Sequence, residues 1–238
     1  MGTIAKLIVT AILSLLLNSC MFDMGVRGNG NVATENRPVS ESFNAIEVSR
    51  GLDVFITQGS SESVTVEADE NLLNIIETSI NNGVLKVTAS QNISHAASRK
   101  IFVTAKTIQS ISASSGSDVT ATNQIQTDHL ELGTSSGSDL NLKVQANSIS
   151  ARSSSGSELD LEGSVNNFSA TASSGSSIDA EKLIAINSQV KASSGSGITV
   201  NTQKKLTAKA SSGADVKYIG NPEILDKTDG VSGSVRQE

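Results

Sequence analysis

Ser114–Asp118 reads "SSGSD", and the same five letters return at Ser135–Asp139. Ser and Gly at this density usually compose flexible linkers, but the spacing here is regular. The motif's glycine falls at Gly116, Gly137, Gly156, Gly175, Gly195, Gly213 and Gly233, in steps of 21, 19, 19, 20, 18 and 20 residues. Apolar columns accompany it. Three residues after the first six glycines stand Val119, Leu140, Leu159, Ile178, Ile198 and Val216; five residues before them stand Ile111, Leu132, Ala151, Ala170, Val190 and Ala208. A linker has nothing to bury and keeps no such columns.

Columns two residues apart along the chain predict short strands with one face turned inward. A unit of about twenty residues is too small for a propeller blade, and it lacks the helices of ankyrin or tetratricopeptide repeats. The pattern predicts an all-β fold, a parallel β-helix with coils of 18–21 residues. At about 4.8 Å per coil, six steps make a rod of about 29 Å. "SSGS" is then a corner. Gly116, Gly137, Gly156, Gly175, Gly195 and Gly213 supply φ > 0, while the small serines let corners stack and offer hydroxyls to backbone groups. Neighbouring coils are expected to press on Gly156 and Gly175 from both sides.

Upstream the texture changes. "FNAIEVSRGLDVFITQG" alternates Ile46, Val48, Leu52, Val54 and Ile56, and "SRGLDV" at Ser49–Val54 looks like a degenerate first copy of "SSGSDV", about sixty-five residues before Gly116. "DENLLNIIETSI" reads equally as a helical turn or a bent strand. "NNGVLKV" signals a hairpin with Asn82 and Gly83 at φ > 0, and "KIFVTAK" reads as a strand.

The leader is separate from the fold. Lys6 precedes the apolar run Leu7–Leu17, too short to span a bilayer and typical of a signal-peptide core. The run ends in "LNSC", which resembles a bacterial lipobox with Asn18 as a mild departure. An ordinary signal peptide with an incidental thiol is the alternative. Cys20 is the chain's only cysteine and has no internal partner for a disulfide, which favours lipidation. The expected organisation is a lipoprotein signal peptide at 1–19 and a lipidated N-terminus and tether at 20–36. A β-helix domain follows at 37–238, less regular over 37–110 and coiled over 111–238.

With 3% aromatic residues and no Trp, the core must be built from Val, Ile, Leu and Ala. The formal charge is −6, or −7 without Lys6 (17 basic against 24 acidic), and no Lys/Arg cluster stands out. Nucleic acid is excluded as a partner on that ground.

The order "GNGN" (28–31), "ENRPVSESFNAIEVSRGLDVFITQG" (35–59), "SVTVEADENLL" (63–73), "NGVLKV" (82–87) and then repeated "SSGSD" coils resembles the family described as "putative auto-transporter adhesin, head GIN domain". The resemblance runs from Gly28 to Val235. It implies a right-handed, single-stranded β-helix behind a lipoprotein or secretion signal in the bacterial envelope. It brings no catalytic or ligand residues with it.

Enzyme chemistry finds little support among the residues. A nucleophilic serine needs a base, and His95 and His129 lie in no nucleophile motif; alternation turns His129 outward. Asp118, Asp139, Glu158 and Asp215 share the column two residues after the glycines, interrupted by Ser177 and Gly197. Such a ladder is solvated by default and could share a cation, but it lacks the mixed acid, base and aromatic groups of a cleavage site. With Tyr218 as the only Tyr, the usual stacking platform for sugars is missing. The expectation is therefore a non-enzymatic lipoprotein without cofactor, anchored in the envelope, with the outer membrane of a Gram-negative cell favoured. It would present a Ser/Asp-rich surface for adhesion or scaffolding to an unidentified protein or glycan. The alternative is a polysaccharide-processing or carbohydrate-binding module.

Overall fold

The computed structural model describes residues 25–238. In chain order the N-terminal strands are β1 (Val26–Arg27), β2 (Val32–Arg37), β3 (Ala45–Val48), β4 (Asp53–Gln58), β5 (Ser63–Asp69), β6 (Ile76–Asn81), β7 (Val84–Ala89), β8 (Ile93–His95) and β9 (Arg99–Ala105). The coils follow as β10 (Ser110–Ser114), β11 (Asp118–Ala121), β12 (Ile125–Ser135), β13 (Asp139–Ser154), β14 (Glu158–Ser173), β15 (Ser177–Ala192) and β16 (Gly197–Ala210). They end with β17 (Asp215–Ile219), β18 (Ile224–Asp229) and β19 (Ser234–Gln237). The architecture is a parallel β-solenoid of about 7 turns.

Alternation becomes register. Val119 aligns with Leu140, Leu140 with Leu159, Leu159 with Ile178, Ile178 with Ile198, and Ile198 with Val216. All six are buried. Each such side chain gains on the order of 1.5–3 kcal/mol by leaving water, so one stacked column carries much of the stability. β13, β14 and β15 each run 16 residues without a break, because bends inside the coil keep the ladder going where separate short strands were expected.

At each corner the serine and the glycine are both left-handed: Ser155 has φ 58 and Gly156 φ 69. Two successive positive φ values are the signature of a type I′ turn. The corners also bond to one another, since Gly137 N–H donates to the Ser155 carbonyl at 3.2 Å and Gly156 N–H to that of Ser174 at 3.1 Å. The residue after each glycine points inward, a serine everywhere except at Ala214. Ser138 Oγ donates to the Ala113 carbonyl of the previous coil at 2.8 Å, and Ser176 and Ser196 do the same to Ser153 and Ala172. These hydroxyls are buried but satisfied, which removes most of their desolvation cost.

The N-terminal section stacks out of sequence order. Arg50 and Gly51, at φ 67 and 69, form the corner of a coil made by β3 and β4, and Gly51 N–H donates to the Ser115 carbonyl at 3.0 Å. That coil therefore lies directly beside β10 and β11, with Ile46 opposite Ile111 and Val54 opposite Val119. The intervening chain turns back: β7 and β9 lie parallel to the far side of β3 and β4. β6 and β7 form an antiparallel hairpin through Asn82 and Gly83. The ambiguous Asp69–Ile80 stretch is both readings at once, a 3-10 turn at Glu70–Leu72 followed by β6.

Residues 25–36 are not an open tether. β1 pairs with β8, and β2 pairs antiparallel with β5, closing an edge that would otherwise expose its backbone groups. Asp69, fully buried, pins the "GNGN" loop by accepting the N–H groups of Gly30 at 2.8 Å and of Ala97 and Ser98 at 2.9 Å. At the other end, β18 places Lys227 and Asp229 in the columns that Ala208 and Ala210 hold one coil earlier. Charge in core columns ends the stack and discourages further pairing.

Candidate binding faces of the solenoid

The flat face after the corner carries the acidic ladder. Its first outward column runs Lys100, Asp53, Asp118, Asp139, Glu158, Ser177, Gly197, Asp215 in register. Asp53, which sequence reading left out of the ladder, extends it because the coil of Gly51 stacks beside that of Gly116. The second outward column runs Phe102, Phe55, Thr120, Asn141, Asp160, Asp179. Partial burial pushes the carboxyls of Asp118, Glu158 and Asp160 up from the ordinary range, and facing carboxylates push further: Asp53 and Asp139 on Asp118, Asp160 on Glu158, Asp179 on Asp160. Arg99 and Lys182 pull Asp118 and Asp160 the other way. Among the described residues no three His, Cys, Asp or Glu side chains converge to hold a metal ion.

The same face holds an aromatic pair. Phe55 and Phe102 stack with ring centroids 5.4 Å apart at 20°, and Phe102 is 41% exposed, whereas Tyr218 is buried. "LDVFIT" and "KIFVT" contained the signal, because alternation places each Phe outward between two inward aliphatic residues.

The corner glycines Gly116, Gly137, Gly156, Gly175, Gly195 and Gly213 have φ between 68 and 74, and the space a Cβ would take is open at all six. The expected crowding by neighbouring coils is absent because the corners form an outer edge. The hydroxyls of Ser117, Ser138, Ser157, Ser176 and Ser196 bond to backbone carbonyls, and no histidine is among their partners. His129 lies elsewhere, 2.8 Å from the Ser148 hydroxyl and 3.6 Å from Glu131.

The face before the corner has a different character. Four residues before the glycines, Gly133, Arg152, Thr171, Lys191 and Lys209 align in one outward column. Beside it run Glu131, Ser150, Ser169, Gln189, Thr207, and then His129, Ser148, Asn167, Asn187, Lys205. Apart from Glu131, the last two columns line a groove of about 510 Å³, with the buried Ile149 and Phe168 at its floor. Asn187 donates its side-chain amide to that of Asn167 at 3.1 Å. Scattered over 58 residues of sequence, Arg152, Lys191, Lys205 and Lys209 looked like isolated charges; the register gathers them. Cys20 lies outside the described residues. Among the described residues no helix is long and apolar enough to cross a membrane.

No curated protein matches the sequence. Solved structures do. A putative adhesin from Bacteroides fragilis NCTC 9343 superposes with a TM-score of 0.83 at 20% identity, over 90% of this chain and 100% of its own. A putative adhesin from Parabacteroides merdae ATCC 43184 gives 0.76 at 18%, over 90% and 98%. A protein from Parabacteroides distasonis ATCC 8503, titled "putative lipid binding protein", gives 0.71 at 19%, over 90% and 99%. At these identities the likeness concerns the fold. The family model described as "putative auto-transporter adhesin, head GIN domain" matches residues 42–222, the coil of Gly51 through that of Gly213, and the chain belongs to that family.

Proposed function

We propose that this chain is a non-enzymatic envelope lipoprotein, anchored through Cys20 in the outer membrane, whose solenoid presents polar faces for adhesion or scaffolding. The supporting observation is the register itself. From Asp53 to Asp215 one outward position recurs in each coil at a fixed pitch and is a carboxylate everywhere but at Ser177 and Gly197, a surface suited to a polymeric or repetitive partner. The anchor rests on the "LNSC" leader and the solitary cysteine. Folding of β1 and β2 onto the solenoid leaves five residue steps from Cys20 to Gly25, a reach of at most about 18 Å. The N-terminal end of the rod would therefore stay close to the bilayer.

The experiment compares cells making the wild type with cells making Cys20→Ala. The wild type should incorporate labelled fatty acid and sediment with outer membranes, and the variant should do neither. Cells lacking the protein should lose adherence or the integrity of an envelope assembly. Absence of label on the wild type would overturn the anchor, and unchanged adherence and envelope integrity would overturn the adhesion or scaffold role.

A further inference from the structure

We infer that the face before the corner is a binding site for an acidic polysaccharide, which lies along the solenoid axis in the groove of Asn167 and Asn187 with its anionic groups on Arg152, Lys191 and Lys209. The inference rests on the adhesion reading and names its ligand class. The first support is that the register gathers these cations into one outward column with no carboxylate against them. Some cations on other faces are paired, as Lys143 is with Glu162 at 2.9 Å and Arg236 with Asp215 at 3.3 Å, and others, such as Lys86, Lys106 and Lys204, are not; what sets this group apart is that the register brings it onto one face. Arg152, Lys191, Lys205 and Lys209 are exposed and have no carboxylate within 4.0 Å among the described residues. A local cationic column on a chain of formal charge −6 is a directed field rather than a general one.

The second support is spacing. Arg152 stands two coils from Lys191, and Lys191 one coil from Lys209, which corresponds to about 10 Å and about 5 Å. An extended uronate or sulfated polysaccharide repeats its anionic groups at intervals close to one sugar unit, comparable to one coil. The third is the groove itself, about 510 Å³ and lined by hydroxyls and amides that both donate and accept, as sugar hydroxyls require. Asn167, Asn187 and Gln189 sit at its middle, and Ser148, Ser150 and Thr207 are small enough to leave room for a chain. The acidic ladder of a second copy is the competing occupant. Its core, Asp53 to Glu158, is a flat-sheet column rather than a narrow chain, and it fills the groove less well.

The test measures retention of purified full-length protein on immobilised polygalacturonate, dextran sulfate and neutral dextran. Variants are Arg152→Ala/Lys191→Ala/Lys209→Ala and, on the face after the corner, Asp118→Asn/Asp139→Asn. The wild type and the aspartate variant should bind at least one of the two polyanions and not dextran, and the better-bound polyanion identifies uronate or sulfate as the preferred group. The triple variant, whose altered residues are exposed and unpartnered, should melt with the wild type yet lose about tenfold or more in affinity. Equal binding by the triple variant, or equal retention on neutral dextran, would overturn the site. So would salt-sensitive self-association abolished by either variant, with neither polyanion bound. Cells displaying the triple variant separate the two levels: adhesion that persists without polyanion binding removes the glycan site and leaves the broader reading standing.

Discussion

Residues 111–216 and residues 25–110 build the same solenoid by opposite routes. In the first, beyond the one seam where β10 and β11 meet β3 and β4, each residue's neighbour across the ladder is about twenty positions away, and a core column such as Val119, Leu140, Leu159, Ile178 never changes role. In the second, neighbours come from anywhere: Gly51 bonds to Ser115, β2 reaches forward to β5, and the coil of β7 and β9 is laid down after the coil it precedes in space. The regular region is stabilised by nearest-neighbour stacking alone. The irregular one closes the end of the stack, and a single buried carboxylate, Asp69, holds its loops. The two regions should therefore fail differently.

The largest effect is expected in the regular region. Leu159→Asp places an unpaired carboxylate in a dry column and should abolish the cooperative melting transition, while Leu159→Ala should cost about 2–5 kcal/mol by denaturant titration. Gly163 comes next. It has φ 120, and an added Cβ would run into the Val144 carbonyl oxygen, so Gly163→Ala should destabilise more than Gly156→Ala. Gly156 has φ 69 with open space around it, and only the conformational cost of about 1–2 kcal/mol applies there. Equal costs for the two glycine variants would show that corner geometry, not coil-to-coil contact, sets the tolerance.

Asp69→Asn sharpens the comparison from the irregular side. It should speed amide exchange in residues 25–37 and 96–98 while leaving β13 to β16 protected, since those strands do not touch the carboxylate. Uniform loss of protection would mean that the two regions form one cooperative unit.

The smallest effect is that of pH. The carboxyls of Asp118, Glu158 and Asp160 are held above their ordinary range, so between the unfolded and native values the native state binds more protons, and stability rises as pH falls from neutral into that window. Asp69 is held below its ordinary value, chiefly by the Ser98 and Gly30 N–H groups. Its contribution is complete above the unfolded value of 3.8 and is lost as pH falls through the native one. Denaturant midpoints should rise as pH falls toward the unfolded carboxyl values of 3.8 and 4.5 and should fall at lower pH, as Asp69 becomes protonated. Asp118→Asn/Asp160→Asn should flatten the rise and leave the fall.

The coils were legible because their evidence is local: alternation by two, glycine at a fixed offset, and branched residues three positions later. The N-terminal strands were legible one by one, as with the hairpin at Asn82–Gly83, but not in their order, because nothing in "FNAIEVSRGLDVFITQG" says which later coil it touches. Val32–Arg37 was missed as a strand since β2 has only Val32 and Ala33 as apolar residues and owes its form to pairing with β5. The acidic ladder was visible because its members sit at one offset from a visible glycine. Arg152, Lys191 and Lys209 share an offset too, four before the glycine, but Thr171 interrupts the column and Gly133 begins it without a charge, and the groove beside them exists only once the coils are stacked.

The stacking of the two regions can be measured directly by cysteine pairing in a Cys20→Ser background. Asp53 and Asp118 face each other on adjacent parallel strands, and Asp139 lies one coil further. Neighbouring strands stand about 4.8 Å apart, within disulfide reach, and two coils stand about 9.6 Å apart, beyond it. Under mild oxidation Asp53→Cys/Asp118→Cys should form an intramolecular bond across 65 residues of sequence, and Asp53→Cys/Asp139→Cys should not. Efficient closure of the second pair with failure of the first would contradict the order in which the coils are stacked here.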